Sequence, residues 1–200
     1  GRMSDPEFLD LKDYDKHPER AAWGWMSNNS VALETPEDFA RLPEIAARIR
    51  SNGEPGFINR IAMRKFGRFG REVADRATLF NPCGEVPLEN KECCNVDEAF
   101  PTRCADEKTF MRALRLATLY ASTVALLPTH RPETNQVMTR NRRIGVSISG
   151  IAEWRDDVGM AQMTRLLRAG YKVVREENTR LAVEAGVPPW RIMRQTGHAR

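Results

Sequence analysis

Asn141-Arg142-Arg143-Ile144-Gly145-Val146-Ser147-Ile148-Ser149-Gly150 reads as a buried strand in which Ile144, Val146 and Ile148 alternate with Gly145, Ser147 and Ser149. The small residues leave its second face open to another backbone or a ligand. Downstream, a long helix is predicted from about Asp157 to Ala185, closed by Gly186 and the Pro188-Pro189 pair. Upstream, Phe110, Met111, Leu114, Ala117, Thr118, Ala121, Val124 and Ala125 repeat with helical period between Asp106 and Leu127, and Pro128 stops that helix. The short basic run Arg140 to Arg143, with Arg140, Arg142 and Arg143, reads as a solvated face beside the strand. Further towards the start, Thr35 suits an N-cap, with Pro36 at the first helical position and Asp38 three residues after the cap. Phe39, Leu42, Ile45, Ala46 and Ile49 carry that helix to Asn52-Gly53. The stretch Trp23 to Leu33 reads as a strand flanked by polar loop, with Trp23 and Trp25 half-buried on it, and Glu54-Pro55-Gly56 as a turn before a short helix through Phe57, Ile58, Ile61, Ala62 and Lys65. Strands alternating with long helices define an α/β arrangement with mainly parallel strands.

The chain has 200 residues, 41% of them apolar and 29% charged, the composition of a globular domain able to bury a core. No run approaches the roughly 18 consecutive apolar residues of a membrane span. The opening Gly-Arg-Met-Ser-Asp-Pro lacks the apolar core of a secretory signal, so the cytoplasm is the expected compartment and no membrane partner is expected. Lys and Arg exceed Asp and Glu by a net charge of only +4, too mild and scattered to argue for a nucleic-acid partner. The basic-aromatic run Lys65-Phe66-Gly67-Arg68-Phe69-Gly70-Arg71 does not match the order of an RNA-recognition strand and reads as a solvated connection.

All four cysteines, Cys83, Cys93, Cys94 and Cys104, crowd into one short region. In a cytoplasmic chain such a cluster points to metal binding or redox catalysis rather than a disulfide framework. The close Cys or His pairs of zinc ribbons are missing, so no metal site is expected. In Asn81-Pro82-Cys83-Gly84-Glu85 a proline and a glycine bracket one thiol, forcing a tight loop. Residues two apart project to the same side of an extended or tightly turned backbone, so Asn81, Cys83 and Glu85 are expected to converge on one small ligand. His17, His130 and His198 sit in polar or terminal segments without a neighbouring motif, which disfavours a histidine-activated nucleophile. A carboxylate two residues away opposes thiolate formation but leaves a neutral S–H intact. A neutral thiol is what hydrogen-atom chemistry requires.

Asn81-Pro82-Cys83-Gly84-Glu85, followed by Cys94-Asn95-Val96, closely resembles the active-site finger loop of adenosylcobalamin-dependent (class II) ribonucleotide reductases, of the ribonucleoside-triphosphate reductase type. Trp25-Met26-Ser27-Asn28-Asn29-Ser30-Val31, Gly53-Glu54-Pro55-Gly56 and the segment Asn141 to Gly150 look like blocks of the same family in the same order. The resemblance implies that residues 1–200 are part of a catalytic ten-stranded α/β barrel, with a central finger loop over about 78–96 carrying the active-site cysteine. It implies adenosylcobalamin as cofactor, a ribonucleotide as substrate, a thioredoxin-type reductant, and a role in supplying DNA precursors. Cys83 as a thiyl radical would remove the 3′-hydrogen of the ribose, Glu85 would take the 3′-hydroxyl proton, and Asn81 would hold the ribose hydroxyls. Cys94 would be one half of the reducing dithiol; Cys93 lies beside it, and a register shift of one would swap the two, while Cys104 reads as a bystander packed behind the loop. Asn28, Asn29 and Ser30 are candidate substrate contacts, because a polar cluster beside a strand is costly to bury unpaired.

The resemblance also implies a second redox cysteine upstream of Cys83, a small-residue phosphate loop downstream, and a terminal cysteine pair. No cysteine precedes Cys83, and Arg191-Ile192-Met193-Arg194-Gln195-Thr196-Gly197 does not match the loop. A piece of a larger enzyme, inactive alone, is therefore expected. Two other readings stay open: a metal-dependent reductase whose radical comes from a separate subunit, and a noncatalytic α/β fragment serving as an interaction module.

Overall fold

In the computed structural model, which describes residues 1–66, 75–84 and 86–186, the chain divides into two units, Gly1–Asn90 and Lys91–Arg200. The first begins with α1 (Pro6–Leu9) and two 3-10 turns, Pro18–Ala22 and Gly24–Met26, before β1 (Ser30–Leu33). The strand expected from Trp23 thus starts only at Ser30. Gly24 lies against the Tyr14 ring, where a Cβ would come within 3.0 Å of the phenol oxygen, and this close approach fits a turn rather than an extended chain. Trp23 and Trp25 are consequently exposed, 50% and 68%, not half-buried on a strand.

The helix that follows starts as Thr35 predicts. Thr35 Oγ1 accepts the Asp38 N–H at 3.2 Å, and Asp38 Oδ2 accepts the Thr35 N–H at 3.0 Å, a complete capping box. It does not run uninterrupted to Asn52. Pro43 has no N–H to donate and crowds the carbonyl one turn back, so the segment divides into α2 (Pro36–Ala40) and α3 (Leu42–Asn52). Replacing Thr35 by Ala is expected to cost about 1 kcal/mol, read as a lower urea midpoint at unchanged slope. Asp38's carboxyl is held below its ordinary value of 3.8, first by the Glu34 N–H it accepts. Its contribution is therefore present above about pH 4 and is lost as the pH falls through its lowered folded value.

β2 (Gly56–Asn59) pairs in parallel with β1, Ser30 opposite Gly56 and Leu33 opposite Asn59. Phe57 and Ile58, expected in a helix, are taken into this ladder, and α4 (Arg60–Phe66) starts only after it. Four residues carry too little periodic signal to override a partner strand. Val31, Leu33 and Ile45 pack with Met3 and Leu9 into the core between strand and helix. The unit closes with a hairpin of β3 (Leu79–Phe80) and β4 (Pro87–Leu88). Most of the basic-aromatic run, from Gly67 to Arg71, lies outside the described residues.

In the second unit β5 (Val96–Ala99) pairs in parallel with β6 (Gly145–Ile148), Val96 opposite Gly145. Between them lie α5 (Glu107–Leu126), close to the predicted span and capped by Asp106, and α6 (Pro132–Asn141). The helix predicted from about Asp157 to Ala185 is α8 (Met160–Glu184), and α7 (Ile151–Val158), which the sequence did not announce, precedes it. Gly159 separates them at φ +79° and ψ 155°, a conformation open essentially to glycine alone. Phe110, Leu114, Trp154, Met163 and Leu166 form the core with Ala99, and the Phe110 and Trp154 rings stack at 5.2 Å with a 55° tilt.

β6 is half-buried along its length rather than a fully buried strand. The basic run before it is not simply a solvated face either. Arg143 is 7% exposed, and its Nε donates to Glu92 Oε1 at 3.3 Å, where Glu92's side chain is wholly buried. Burial of that guanidinium is sustained by a carboxylate from the other end of the sheet's connection. The α/β arrangement is thus seen in both parallel pairs. Among the described residues no helix is long and apolar enough to cross a membrane.

Candidate active site

The Cys83 thiol sits at the tip of the β3–β4 hairpin. Leu79 faces Leu88 and Phe80 faces Pro87 across the ladder. Beyond Phe80 the Asn81 N–H donates to the Val86 carbonyl at 3.1 Å, and the Val86 N–H donates to Asn81 Oδ1 at 2.9 Å. The Asn81 side chain thus closes the hairpin where a backbone carbonyl would otherwise serve, in the manner of Asn at turns. Gly84, at φ +88°, turns the chain back and donates its N–H to the Asn81 carbonyl at 2.9 Å. A side chain there would be strained, which explains the glycine that follows the cysteine.

Asn81 is buried, 7% exposed, whereas Cys83 is exposed. Cys83 and Gly84 border a hollow of about 540 Å³ whose walls include Phe57, Phe66 and Phe80, with Ser30 and Asn59 as polar members. Glu85, the expected proton acceptor, lies outside the described residues. Of the three candidate substrate contacts, Ser30 opens onto the hollow beside Cys83. Asn29 is engaged elsewhere, its Nδ2 donating to Ser27 Oγ at 3.1 Å and to Glu54 Oε2 at 3.2 Å. Asn28 Nδ2 donates to the Pro82 carbonyl at 3.2 Å.

In the second unit Cys94 is exposed and Cys93 is partly buried, its N–H reaching Met138 Sδ at 3.3 Å. Cys94 is thus the more accessible of the two thiols. Cys104 packs against the α5–α8 core and meets the Phe100 carbonyl at 3.6 Å. Burial pushes its thiol above the ordinary value, and the Asp106 carboxylate adds to the effect. None of the four cysteines is in a disulfide. Among the described residues no three His, Cys, Asp or Glu side chains group to hold a metal ion.

Sequence reading missed Lys12 and Glu54. Lys12 is buried, 8% exposed, and its Nζ pairs with Glu54 Oε2 at 2.6 Å. The Gly53-Glu54-Pro55-Gly56 block was the available signal, but nothing in it named a partner 42 residues earlier.

The fold has a solved counterpart. A crystal structure of a B-12-dependent (class II) ribonucleotide reductase matches 98% of this chain and 32% of its own, with a TM-score of 0.75 and 26% identity. Adenosylcobalamin-dependent ribonucleoside-triphosphate reductase of Euglena gracilis is 38% identical over 98% of this chain, and the probable enzyme of that name from Dictyostelium discoideum is 36% identical over 94%. The Lacticaseibacillus paracasei reductase is 36% identical over 77% of the chain. No protein-family model matches. In sequence and in fold the chain is similar to a segment of adenosylcobalamin-dependent ribonucleoside-triphosphate reductases, and it spans 26%, 25% and 21% of the lengths of these three relatives.

Proposed function

We propose that the chain is a part of the catalytic ten-stranded α/β barrel of an adenosylcobalamin-dependent ribonucleoside-triphosphate reductase, and that residues 78–96 serve as its finger loop. The observation that carries this reading is an exposed, free thiol on a hairpin tip, closed by a buried asparagine and bordering an aromatic-walled hollow. It is joined to similarity, over 98% and 94% of this chain, to segments of reductases of that name.

Cys83, as a thiyl radical, removes the 3′-hydrogen of the ribose. Glu85 takes the 3′-hydroxyl proton, which eases loss of the protonated 2′-hydroxyl as water. Asn81 orients the ribose hydroxyls, with Ser30, Asn28 and Asn29 as the neighbouring polar cluster. Cys94 and a second thiol give up two hydrogens and become a disulfide, so that the ribonucleotide and two thiols yield a deoxyribonucleotide, a disulfide and water. A thioredoxin-type protein then reduces that disulfide, and the enzyme works in the cytoplasm to supply DNA precursors.

Phe57 and Phe66 would be the residues to meet the cofactor. Phe57 and Phe66 are 56% and 45% exposed on the wall of the hollow that Cys83 borders, an apolar surface suited to a flat ring or a nucleoside. When bound, adenosylcobalamin supplies the radical that the thiol relays. The full-length protein is expected to form deoxyribonucleotides from ribonucleoside triphosphates only when adenosylcobalamin and a dithiol are both present. Turnover without the cobalamin would transfer the reading to a reductase with a separate radical source. No turnover with both would leave a noncatalytic fragment.

A further inference from the structure

The carbonyl of Pro82 belongs to the peptide bond that leads into Cys83. Whatever fixes that carbonyl fixes the plane from which the Cys83 side chain departs. Asn28, 54 residues earlier in the chain, donates its Nδ2 to this oxygen at 3.2 Å. Only the amide nitrogen can donate there, so the orientation of the Asn28 side chain follows from the contact itself.

Asn28 is held on both sides. Before it, the Ser27 N–H and Oγ both donate to the Gly24 carbonyl, at 3.2 and 3.0 Å, and the Ser27 carbonyl accepts from Lys12 Nζ. After it, the Asn29 carbonyl accepts the Gly56 N–H at 2.8 Å, while Asn29 Nδ2 bridges Ser27 Oγ and Glu54 Oε2. Glu54 in turn pairs with the buried Lys12 ammonium at 2.6 Å and is steadied by its own N–H, which donates to Asn52 Oδ1 at 3.1 Å. Asn52 Nδ2 closes the circuit on the Lys12 carbonyl. A buried ammonium satisfied by a carboxylate and a carbonyl makes a stiff support, because each member is expensive to release.

We infer that Asn28 is a positioning residue for the reacting thiol, braced by the Lys12–Glu54 pair through Ser27 and Asn29. This rests on the reading of Cys83 as the hydrogen-abstracting group. One hydrogen bond of this kind adds little to global stability, but a displacement of about 1 Å at a reacting atom costs roughly 100-fold in rate.

The test is Asn28→Asp in the full-length protein, which keeps the shape of the side chain and removes the donor. Asn28 is exposed, so the variant should fold. Two readouts are expected to move. Amide hydrogen exchange at Asn81, Gly84 and Val86 should quicken about tenfold or more while the β1 amides stay as they were, and kcat should fall about 10- to 100-fold with KM within about twofold. Unchanged exchange across the hairpin would overturn the inference. So would a raised KM at unchanged kcat, which would make Asn28 a substrate contact instead. Exchange reports on the bond whether or not the protein turns over, and Cys83→Ser reports on the reductase reading alone, so failure of one is told apart from failure of the other.

Discussion

Changing Glu92 to Gln is expected to remove about 3–5 kcal/mol from the stability of the second unit, a large share of the 5–15 kcal/mol typical of a whole domain. The Arg143 side chain is 5% exposed and that of Glu92 is 0% exposed, so the charged pair is held away from water. The pair joins the segment carrying Cys93 and Cys94 to the residue that leads into β6, across 51 positions of sequence. Urea denaturation of single and double variants reads the effect. Glu92→Met with Arg143→Met should recover most of the loss, because two apolar side chains of similar volume need no ionic partner. A single variant within about 0.5 kcal/mol of the parent would show that water already reaches the pair.

Cys83→Ser in the full-length protein is expected to lower deoxyribonucleotide formation by at least about 10⁴-fold, equivalent to more than about 5 kcal/mol of barrier. A hydroxyl does not yield its hydrogen atom as a thiol does, so the loss falls on chemistry. The side chain is exposed at a hairpin tip whose closure depends on Asn81, Val86 and Gly84, so the fold and cobalamin affinity should stay near those of the parent. Product measured by chromatography alongside a cobalamin titration separates the two. Undiminished turnover would remove Cys83 from the mechanism.

Sequence alone located the features that announce themselves locally. Asp106 and the periodic apolar residues up to Ala125 placed α5, Thr35 and Asp38 placed the helix start, and Pro82 and Gly84 placed the turn around the thiol. α6 was not legible because half of its buried residues, Thr134 and Asn141, are polar and leave Val137 and Met138 as a faint stripe. Likewise a run of arginines carries no sign that one of them, Arg143, meets a buried carboxylate. The same limit hid the bond between Asn28 and the Pro82 carbonyl. Spacing reports which residues share a face, and contacts made across a fold leave no period in the sequence.

The thiol hairpin draws its Asn28 anchor from a residue already made before it, within Gly1–Asn90. During synthesis on the ribosome that anchor emerges ahead of Cys83, so the cysteine meets a residue waiting to receive its turn rather than an unstructured tail. Vectorial growth of the chain then shortens the interval in which this reactive sulfur is open to stray oxidants before its surroundings are in place.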